Sequence, residues 1–253
     1  MLTGVPPTVD SDTALQVYLL GTVDFEAVAR LQRRLHFEIS GQRDQAILLL
    51  CEHPPVITVG RQGSRAHLFC GPEELRSRRW QVRWVNRGGG CLLHAPGQLA
   101  AYPLLPLDRL GWSLPLYLNR LHEVVLRLLD DFGVEGGCRP EWSGVWAGAR
   151  LLAAVGVAVH DWVSYYGAWI NVCPDLELFR LVRWGDATQP SMTSLVRERK
   201  GGLRPALARA RLLEHFRDVL GFSRVSLFTE HPALDGQVRR CRAAGAAPAS
   251  GRR

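Results

Sequence analysis

A run of apolar residues at 47–51, Ile-Leu-Leu-Leu-Cys, constrains the fold of this chain more than any other feature. A strand with one solvated face alternates polar and apolar residues, whereas a continuous apolar run of this length is typical of a strand buried on both faces. The His53-Pro54-Pro55 segment interrupts the run, and a second apolar strand is predicted at 56–59. The chain is therefore expected to bury part of a β-sheet in its interior.

The remaining periodicity predicts helices that alternate with strands. Asp24 is placed to cap a first helix, and residues 114–132 form the clearest amphipathic helix, between a cap at Ser113 and a stop at Gly133. Further strands are predicted at 15–20, 81–85, 151–159 and 164–172, the last two joined by a turn at His160-Asp161, and a last helix is predicted at 205–220.

The length of 253 residues and the hydrophobic fraction of 47% fit one large domain with a full core. No internal repeat divides the chain. We expect an N-terminal arm at 1–14, one folded domain at 15–231 and a disordered tail at 232–253. The tail is assigned by composition, because Ala, Gly, Pro, Ser and Arg dominate it and bury too little apolar surface to fold.

The formal net charge of +7 indicates a basic surface. Such a surface attracts an acidic protein or nucleic acid without fixing which of them is bound, and an Arg-rich solvated surface explains the same charge with no partner at all. The sequence contains neither an RNA-recognition signature nor zinc-finger spacing. We therefore expect no nucleic-acid partner.

The six cysteines are scattered, with no Cys-x-x-Cys pair and no Cys/His cluster. This spacing argues against a structural zinc site or a disulfide framework, and it fits a reducing compartment. The first dozen residues lack the basic and apolar regions of a secretory signal, and no stretch has the length of a membrane span. We expect a cytoplasmic protein with no metal and no membrane association.

The most informative segment is RGGGCLLHAPGQL at 87–99, which is predicted to lie between two strands. Its three consecutive glycines leave backbone N–H groups unshielded, so that the chain can approach a ligand closely, while Arg87 and His94 supply polar groups that would orient the ligand. A glycine-rich hairpin with an incidental arginine and a satisfied histidine explains the same residues equally well. The segment matches neither GxxxxGK[ST] nor GxGxxG between a strand and a helix, which argues against a phosphate site.

The order RGG, four residues, His and then PGQL resembles the substrate-binding loop of lipoyl (octanoyl) transferases. The resemblance covers roughly residues 15–220. Other segments resemble the same family in the same order: GTVDFEA at 21–27 with Gln32, EHPPVITVGR at 52–61, YPLLPL at 102–107, GVW at 144–146, AAVGV at 153–157, NV at 171–172 with Asp175, Leu176 and Phe179, and TSL at 193–195.

This resemblance implies a single α+β domain of the biotin/lipoate protein ligase type, related to class II aminoacyl-tRNA synthetases, in which helices pack on a mixed sheet. It also implies that an acyl chain lies in a tunnel beside the glycine loop. The implied substrate contacts are Arg87, Gly88, Gly89, Gly90, Cys91, Leu92, Leu93 and His94, then Ala154, Val155 and Gly156, then Gly167, Ala168 and Trp169.

Members of the family take octanoate from acyl carrier protein onto a cysteine and pass it to a lysine of a lipoyl domain. The resemblance therefore implies two partners, acyl carrier protein and the lipoyl domains of 2-oxoacid dehydrogenase or glycine cleavage proteins. It implies no ATP and no other cofactor, because the donor is already a thioester. We expect the protein to act as a monomer.

The two residues of this chemistry are missing at the matching positions. Leu151 stands where the family has its lysine, and Gly185 stands where the family has its cysteine. A lysine ammonium lowers the pKa of a neighbouring thiol, and a leucine cannot. A slip of one residue places Arg150 or Trp184 there instead, so the conclusion does not depend on the alignment.

The predicted acyl site is altered as well. Leu92 and Leu93 replace the family's Thr-Tyr pair, and its HGxA segment becomes Tyr166-Gly167-Ala168-Trp169. An indole at Trp169 fills volume that an octanoyl chain needs if it points into the tunnel. Since side chains alternate along a strand, it can equally face the other side.

Three explanations are compatible with these changes. The first is a working transferase that uses another nucleophile, either Cys91 or Cys173, with His94 as its base; both thiols are equally explained as small buried side chains. The second is a non-catalytic paralogue that binds an acyl chain, acyl carrier protein or a lipoyl domain. The third is an ATP-dependent ligase, which would need Arg87 or Arg150 to replace the missing lysine charge.

Overall fold

The computed structural model describes residues 14–139, 142–183, 191–199 and 201–234, which form both strands and helices. The strands are β1 (Leu15–Thr22), β2 (Ala46–Glu52), β3 (Val56–Val59), β4 (Gln81–Trp84), β5 (Cys91–His94), β6 (Gln98–Leu104), β7 (Gly137–Arg139), β8 (Trp142–Ala147), β9 (Arg150–His160), β10 (Val163–Asn171) and β11 (Val225–Phe228). The α-helices are α1 (Phe25–Gln42), α2 (Pro72–Ser77), α3 (Leu114–Asp131), α4 (Leu195–Arg199) and α5 (Pro205–Leu220).

The strands form two sheets. The larger has the order β11-β1-β2-β6-β10-β9-β8-β7, in which β1 runs parallel to both β2 and β11 and the other neighbours are antiparallel. The smaller has the order β4-β3-β5. The predicted mixed sheet packed by helices is confirmed.

The larger sheet separates two apolar clusters. On one face, Tyr117 and Leu121 of α3 pack with Phe216 of α5 in what we call the α3–α5 core. On the other face, Leu31 and Leu35 of α1 pack in what we call the α1 core. Alternate residues of β2 enter the two cores, and all but the last are buried, as the continuous apolar run predicted.

The small sheet has a third cluster on its far side, the small-sheet core, formed by Ile57, Val59, Cys91 and Leu93. The alternate residues of the same strands, among them Val56 and Leu92, join the α1 core. The small sheet therefore stacks on the side of the larger sheet that carries α1.

Local sequence explains where several elements begin and end. The Asp24 carboxylate accepts a hydrogen bond from the backbone N–H of Ala27, and the Ser113 hydroxyl accepts one from Leu116, as expected of helix caps. The turn between β9 and β10 is one residue later than predicted. Asp161 and Trp162 occupy it with φ of 47° and 59°, the left-handed geometry of a two-residue hairpin turn.

The first three residues of the predicted disordered tail, 232–234, are structured. Pro232–Leu234 form a 3-10 helix, and Leu234 is buried in the α1 core. The prediction rested on the average composition of the segment, which does not reveal a single buried apolar residue such as Leu234. Residues 1–13, all but the last of the predicted arm, and residues 235–253 lie outside the described residues. None of the described helices has the length and apolar character needed to cross a membrane.

Candidate functional site

The glycine-rich loop between β4 and β5 lies against two neighbouring backbones. The N–H of Gly88 donates to the carbonyl of Val157 on β9 at 2.9 Å, and the N–H of Gly60 donates to the carbonyl of Gly90 at 3.0 Å. A Cβ atom on Gly156 would lie 2.7 Å from the Gly88 carbonyl oxygen. Glycine is therefore required at 156 because two backbones approach closely there.

Arg87, the first residue of this loop, has its side chain directed inward and is completely buried. Its Nη2 donates to the carbonyl oxygen of Thr58 at 3.0 Å and to the Thr58 hydroxyl at 2.8 Å, and its Nη1 donates to the Gly88 carbonyl at 3.0 Å. Burial lowers the pKa of the guanidinium to about 10, which leaves it charged at neutral pH. The loop thus places a positive charge inside the protein.

His94 approaches the same threonine from the end of β5. Its Nε2 lies 2.9 Å from the Thr58 hydroxyl, and its Nδ1 is buried without a hydrogen-bond partner. Burial, together with the neighbouring His53 ring and the Arg87 guanidinium, holds the pKa of His94 well below its usual value. The ring is therefore neutral at physiological pH.

The indole of Trp169 fills the space between these loop residues. It is fully buried, with the Arg87 guanidinium 5.2 Å from its ring centroid and the His94 ring centroid 5.5 Å away. Trp169 pairs with Ala154 and Ala100 on the neighbouring strands, and all three side chains enter the α1 core. Small residues at both flanking positions give the indole its room.

A chain of hydrogen bonds fixes this indole. Its Nε1 donates to the Tyr102 hydroxyl at 3.0 Å, which lies 2.7 Å from His53 Nε2, and His53 Nδ1 lies 2.8 Å from the Val23 carbonyl oxygen. A carbonyl only accepts, so His53 is protonated at Nδ1 and Tyr102 donates to its Nε2. Burial lowers the pKa of His53 to about 4, which keeps it in this neutral form.

Comparison with known proteins identifies the family. A family model described as the lipoyl protein ligase A/B catalytic domain matches residues 24–220. The chain is 39% identical over 178 residues to an octanoyltransferase of Syntrophobacter fumaroxidans, covering 70% of this chain and 78% of the relative. It is 37% identical over 216 residues to an octanoyltransferase of Nitratidesulfovibrio vulgaris, covering 85% of this chain and 94% of the relative. The chain belongs to the lipoyl and octanoyl transferase family.

Solved structures agree with this family at the level of the fold. The structure of a putative lipoate protein ligase from T. acidophilum with bound lipoic acid has a TM-score of 0.68 and 15% identity, covering 91% of this chain and 95% of that one. Lipoate-protein ligase A bound with ATP has a TM-score of 0.67 and 14% identity, covering 90% of this chain and 93% of that one. The predicted lipoate ligase type of fold is confirmed.

The structure brings together only part of the set that the family resemblance predicted. The Trp169 indole lies among Arg87, Leu92, His94 and Ala154, all directed to the α1 side, and the backbones of Gly88 and Gly156 meet beside it. Cys91 and Leu93 face the small-sheet core, and Val155 and Ala168 face the α3–α5 core. Gly89 and Gly90 contact the turn after β3 through their carbonyl oxygens, and Gly167 packs against the backbone of β6.

Trp169 and the side chains around it form what we call the Trp169 cluster: His53, Thr58, Arg87, Leu92, His94, Tyr102 and Ala154. Neither candidate thiol lies in this cluster. The thiol of Cys91 donates to the Ser64 carbonyl at 3.4 Å, and burial raises its pKa. Cys173 is exposed in a turn after β10, where its backbone N–H donates to the Gly97 carbonyl; partial burial and the Glu52 carboxylate raise its pKa. Raised pKa values disfavour the thiolate that attacks a thioester.

Of the two positions that the resemblance aligns with the family's lysine and cysteine, the structure describes only the first. Leu151 is buried in β9, and its N–H donates to the Ser191 carbonyl while its carbonyl accepts from Thr193. Next to it, Arg150 forms a two-pronged ion pair with Glu198 at 2.8 and 2.7 Å, which lowers the pKa of that carboxyl. Gly185 lies outside the described residues.

Three residues of the cluster were not predicted as site residues. Thr58 supplies the hydroxyl that contacts Arg87 and His94, and the Tyr102 hydroxyl accepts from Trp169. His53 in turn accepts from Tyr102. Each is a polar residue within or just after an apolar strand, and a polar group placed there must find a partner in the interior. Polar residues inside apolar segments can be recognised in the sequence, so these three could have been predicted from it.

Proposed function

We propose that this member of the octanoyltransferase family binds a partner of the lipoylation pathway, acyl carrier protein or a lipoyl domain, and does not itself transfer octanoate. One observation carries the proposal. Trp169 occupies the space between Arg87, His94 and Tyr102, and it is fully buried there. An octanoyl chain beside the glycine loop would have to displace an indole that is packed on all sides.

The groups around the missing lysine support the same proposal. Leu151 offers no charge to lower a thiol pKa, and the adjacent Arg150 is already paired with Glu198. Cys91 faces away from the cluster, which argues against the alternative nucleophile. Arg87 is engaged by Thr58, which argues against its reuse in an ATP-dependent ligase.

Charge favours a protein partner over a free acyl chain. The chain carries 31 Lys and Arg against 24 Asp and Glu. The pocket beside the position of the missing lysine is lined by Arg150, Arg180 and Arg197 and by one acid, Glu177, which pairs with Arg180 as Glu198 does with Arg150. A basic rim of this kind attracts an acidic domain and increases its association rate.

The first experiment mixes the purified protein with octanoyl-acyl carrier protein and a lipoyl domain, without ATP, and follows all three by intact-mass spectrometry. We expect no octanoyl mass on the lipoyl domain or on the protein, while an active octanoyltransferase of the family serves as the positive control. Transfer by the wild-type chain would refute the non-catalytic half of the proposal. A biosensor assay tests whether the protein binds a partner. This part of the proposal is refuted if neither the acyl carrier protein nor the lipoyl domain binds.

Restoring the family's lysine and cysteine gives a second test. Leu151→Lys with Gly185→Cys supplies the missing pair, and we expect little transfer from this double variant because Trp169 still fills the site. Adding Trp169→Ala should increase transfer. Adding Trp112→Ala instead, which removes a buried tryptophan on the opposite side of the larger sheet, should not. Equal transfer with and without Trp169 would show that the indole does not block the acyl chain.

A further inference from the structure

A separate cleft of about 370 Å³ lies beyond the Trp169 cluster, between α1, the end of β4 and the β9–β10 hairpin. Its walls are aromatic: Trp84, Tyr165, Tyr166 and His36 line it. Neither Arg87 nor His94 is among its lining residues. The volume is at the lower end of the range for small-molecule sites, which suits a ligand of one or two rings.

A buried amide at the floor of the cleft has an unused donor. Gln32 is 2% exposed, and its Oε1 accepts from the backbone N–H of Tyr166 at 2.8 Å. Its Nε2 is buried without a hydrogen-bond partner. A buried polar group in this state costs about 1–3 kcal/mol, so a ligand acceptor placed there would be favoured.

The backbone next to this amide is strained. Tyr166 has φ of 57°, a left-handed conformation that is unusual for a bulky residue within a strand and costs about 1–3 kcal/mol. The strain turns the Tyr166 N–H toward Gln32 and places the Tyr166 ring on the wall of the cleft. Strain of this kind is typical of binding sites.

Acceptors line the same cleft as this donor. Asn86 donates its Nδ2 to the Tyr165 hydroxyl at 3.2 Å, which leaves its Oδ1 as an acceptor. His36 Nε2 lies 3.0 Å from the His160 carbonyl oxygen, so this nitrogen is protonated and Nδ1 is the acceptor of the neutral ring. The cleft therefore presents both a donor and acceptors between aromatic walls.

The exposed wall is the indole of Trp84, which is 65% exposed. Stacking of a planar ligand ring on this indole is favourable, so Trp84 would contribute to the binding of such a ligand. Trp162 is similarly exposed, at 56%, but it is not part of the cleft. It provides a matched control.

From these contacts we infer that the cleft binds a planar aromatic carboxamide. The carbonyl of the ligand accepts from Gln32 Nε2, its amide N–H donates to Asn86 or His36, and its ring stacks on Trp84. This inference does not depend on the proposed function, because no residue of the Trp169 cluster or of the Arg150 pocket takes part.

The test is a ¹H–¹⁵N correlation NMR titration of the full chain with benzamide, nicotinamide, indole-3-carboxamide and quinoline-2-carboxamide. At least one of these probes should cause saturable shifts of both the Trp84 indole N–H and the Gln32 side-chain amide. 3-Methylindole, which has a ring but no carbonyl, should bind about fivefold more weakly than indole-3-carboxamide, as the loss of one hydrogen bond predicts.

Two variants locate the site. Trp84→Ala should weaken the best probe by at least about threefold, and Trp162→Ala should leave its affinity unchanged. The inference is overturned if none of the four carboxamides shifts these two signals at millimolar concentration, or if Trp84→Ala and Trp162→Ala bind equally well. It is also overturned if octanoate shifts the same signals as strongly, because the cleft would then be an acyl site.

Discussion

Replacing Trp169 by alanine should both destabilise the protein and create a site for a fatty acid. The side chain is fully buried, and truncating a buried tryptophan costs about 3–5 kcal/mol because the cavity relaxes only partly. The Nε1 hydrogen bond to Tyr102 and the contact with the Arg87 guanidinium are lost as well, so we expect the upper half of this range. At roughly 2–4 °C per kcal/mol for a domain of this size, Tm should fall by roughly 8–20 °C.

Octanoate should return part of this stability. A ligand present at about one hundred times its Kd stabilises the folded state by about 2.7 kcal/mol, which is roughly half of the expected loss. Thermal unfolding followed by circular dichroism, with and without octanoate, measures both effects. We expect no increase in Tm for the wild-type protein, because the indole already occupies the space.

Trp112→Ala separates the acyl site from a general cavity effect. Trp112 is 2% exposed and lies under the Arg120 guanidinium at 4.6 Å, in the α3–α5 core. Its truncation should cost a similar amount, and octanoate should not restore it. An equal octanoate effect on both variants, or an octanoate-induced increase in the wild-type Tm, would refute the view that Trp169 stands in an acyl site.

Two further predictions concern stability. His53 has a folded pKa of about 4, below its ordinary value of 6.5, so the unfolded chain binds the proton first as the pH falls. The free energy of unfolding, measured with urea, should therefore decrease by up to roughly 3 kcal/mol between pH 6.5 and pH 4. The same pH dependence in the His53→Asn variant would contradict this prediction. Gly167→Ala should destabilise by about 1–3 kcal/mol or more, because its Cβ would collide with the Ala101 carbonyl oxygen. Gly137→Ala, where space is open, should change urea unfolding by less than about 0.5 kcal/mol, and equal effects of the two glycine changes would show that the collision is relieved.

Most of the fold could be predicted because local patterns and tertiary packing agree. Helix α3 begins after Ser113 and ends within one residue of the predicted position, since the cap, the apolar stripe and the following glycine all indicate the same bounds. Strands β9 and β10 were found from their apolar runs and the polar turn between them. Leu234 was missed because a single anchoring residue leaves no periodic pattern.

The candidate site was harder to predict, because a strand buried on both faces conceals which residues point to which side. Residues 153–155 of β9 are all apolar, so the sequence alone could not show that Ala154 lies under Trp169 while Val155 enters the opposite core. The left-handed Tyr166 adds a local irregularity just before Trp169. The polar partners Thr58, Tyr102 and His53 lie in β3, in β6 and just after β2, and only the folded chain brings them together.

The Trp169 indole is attached to the backbone, which changes the competition for the space that it fills. A free ligand occupies a site according to its concentration, but a side chain of the same polypeptide cannot be diluted away. Any molecule that enters between Arg87 and His94 must first break the bond to Tyr102 and force a large ring to find another place in a close-packed interior. The amino-acid sequence therefore determines that this space is occupied, and the cellular concentration of a ligand does not.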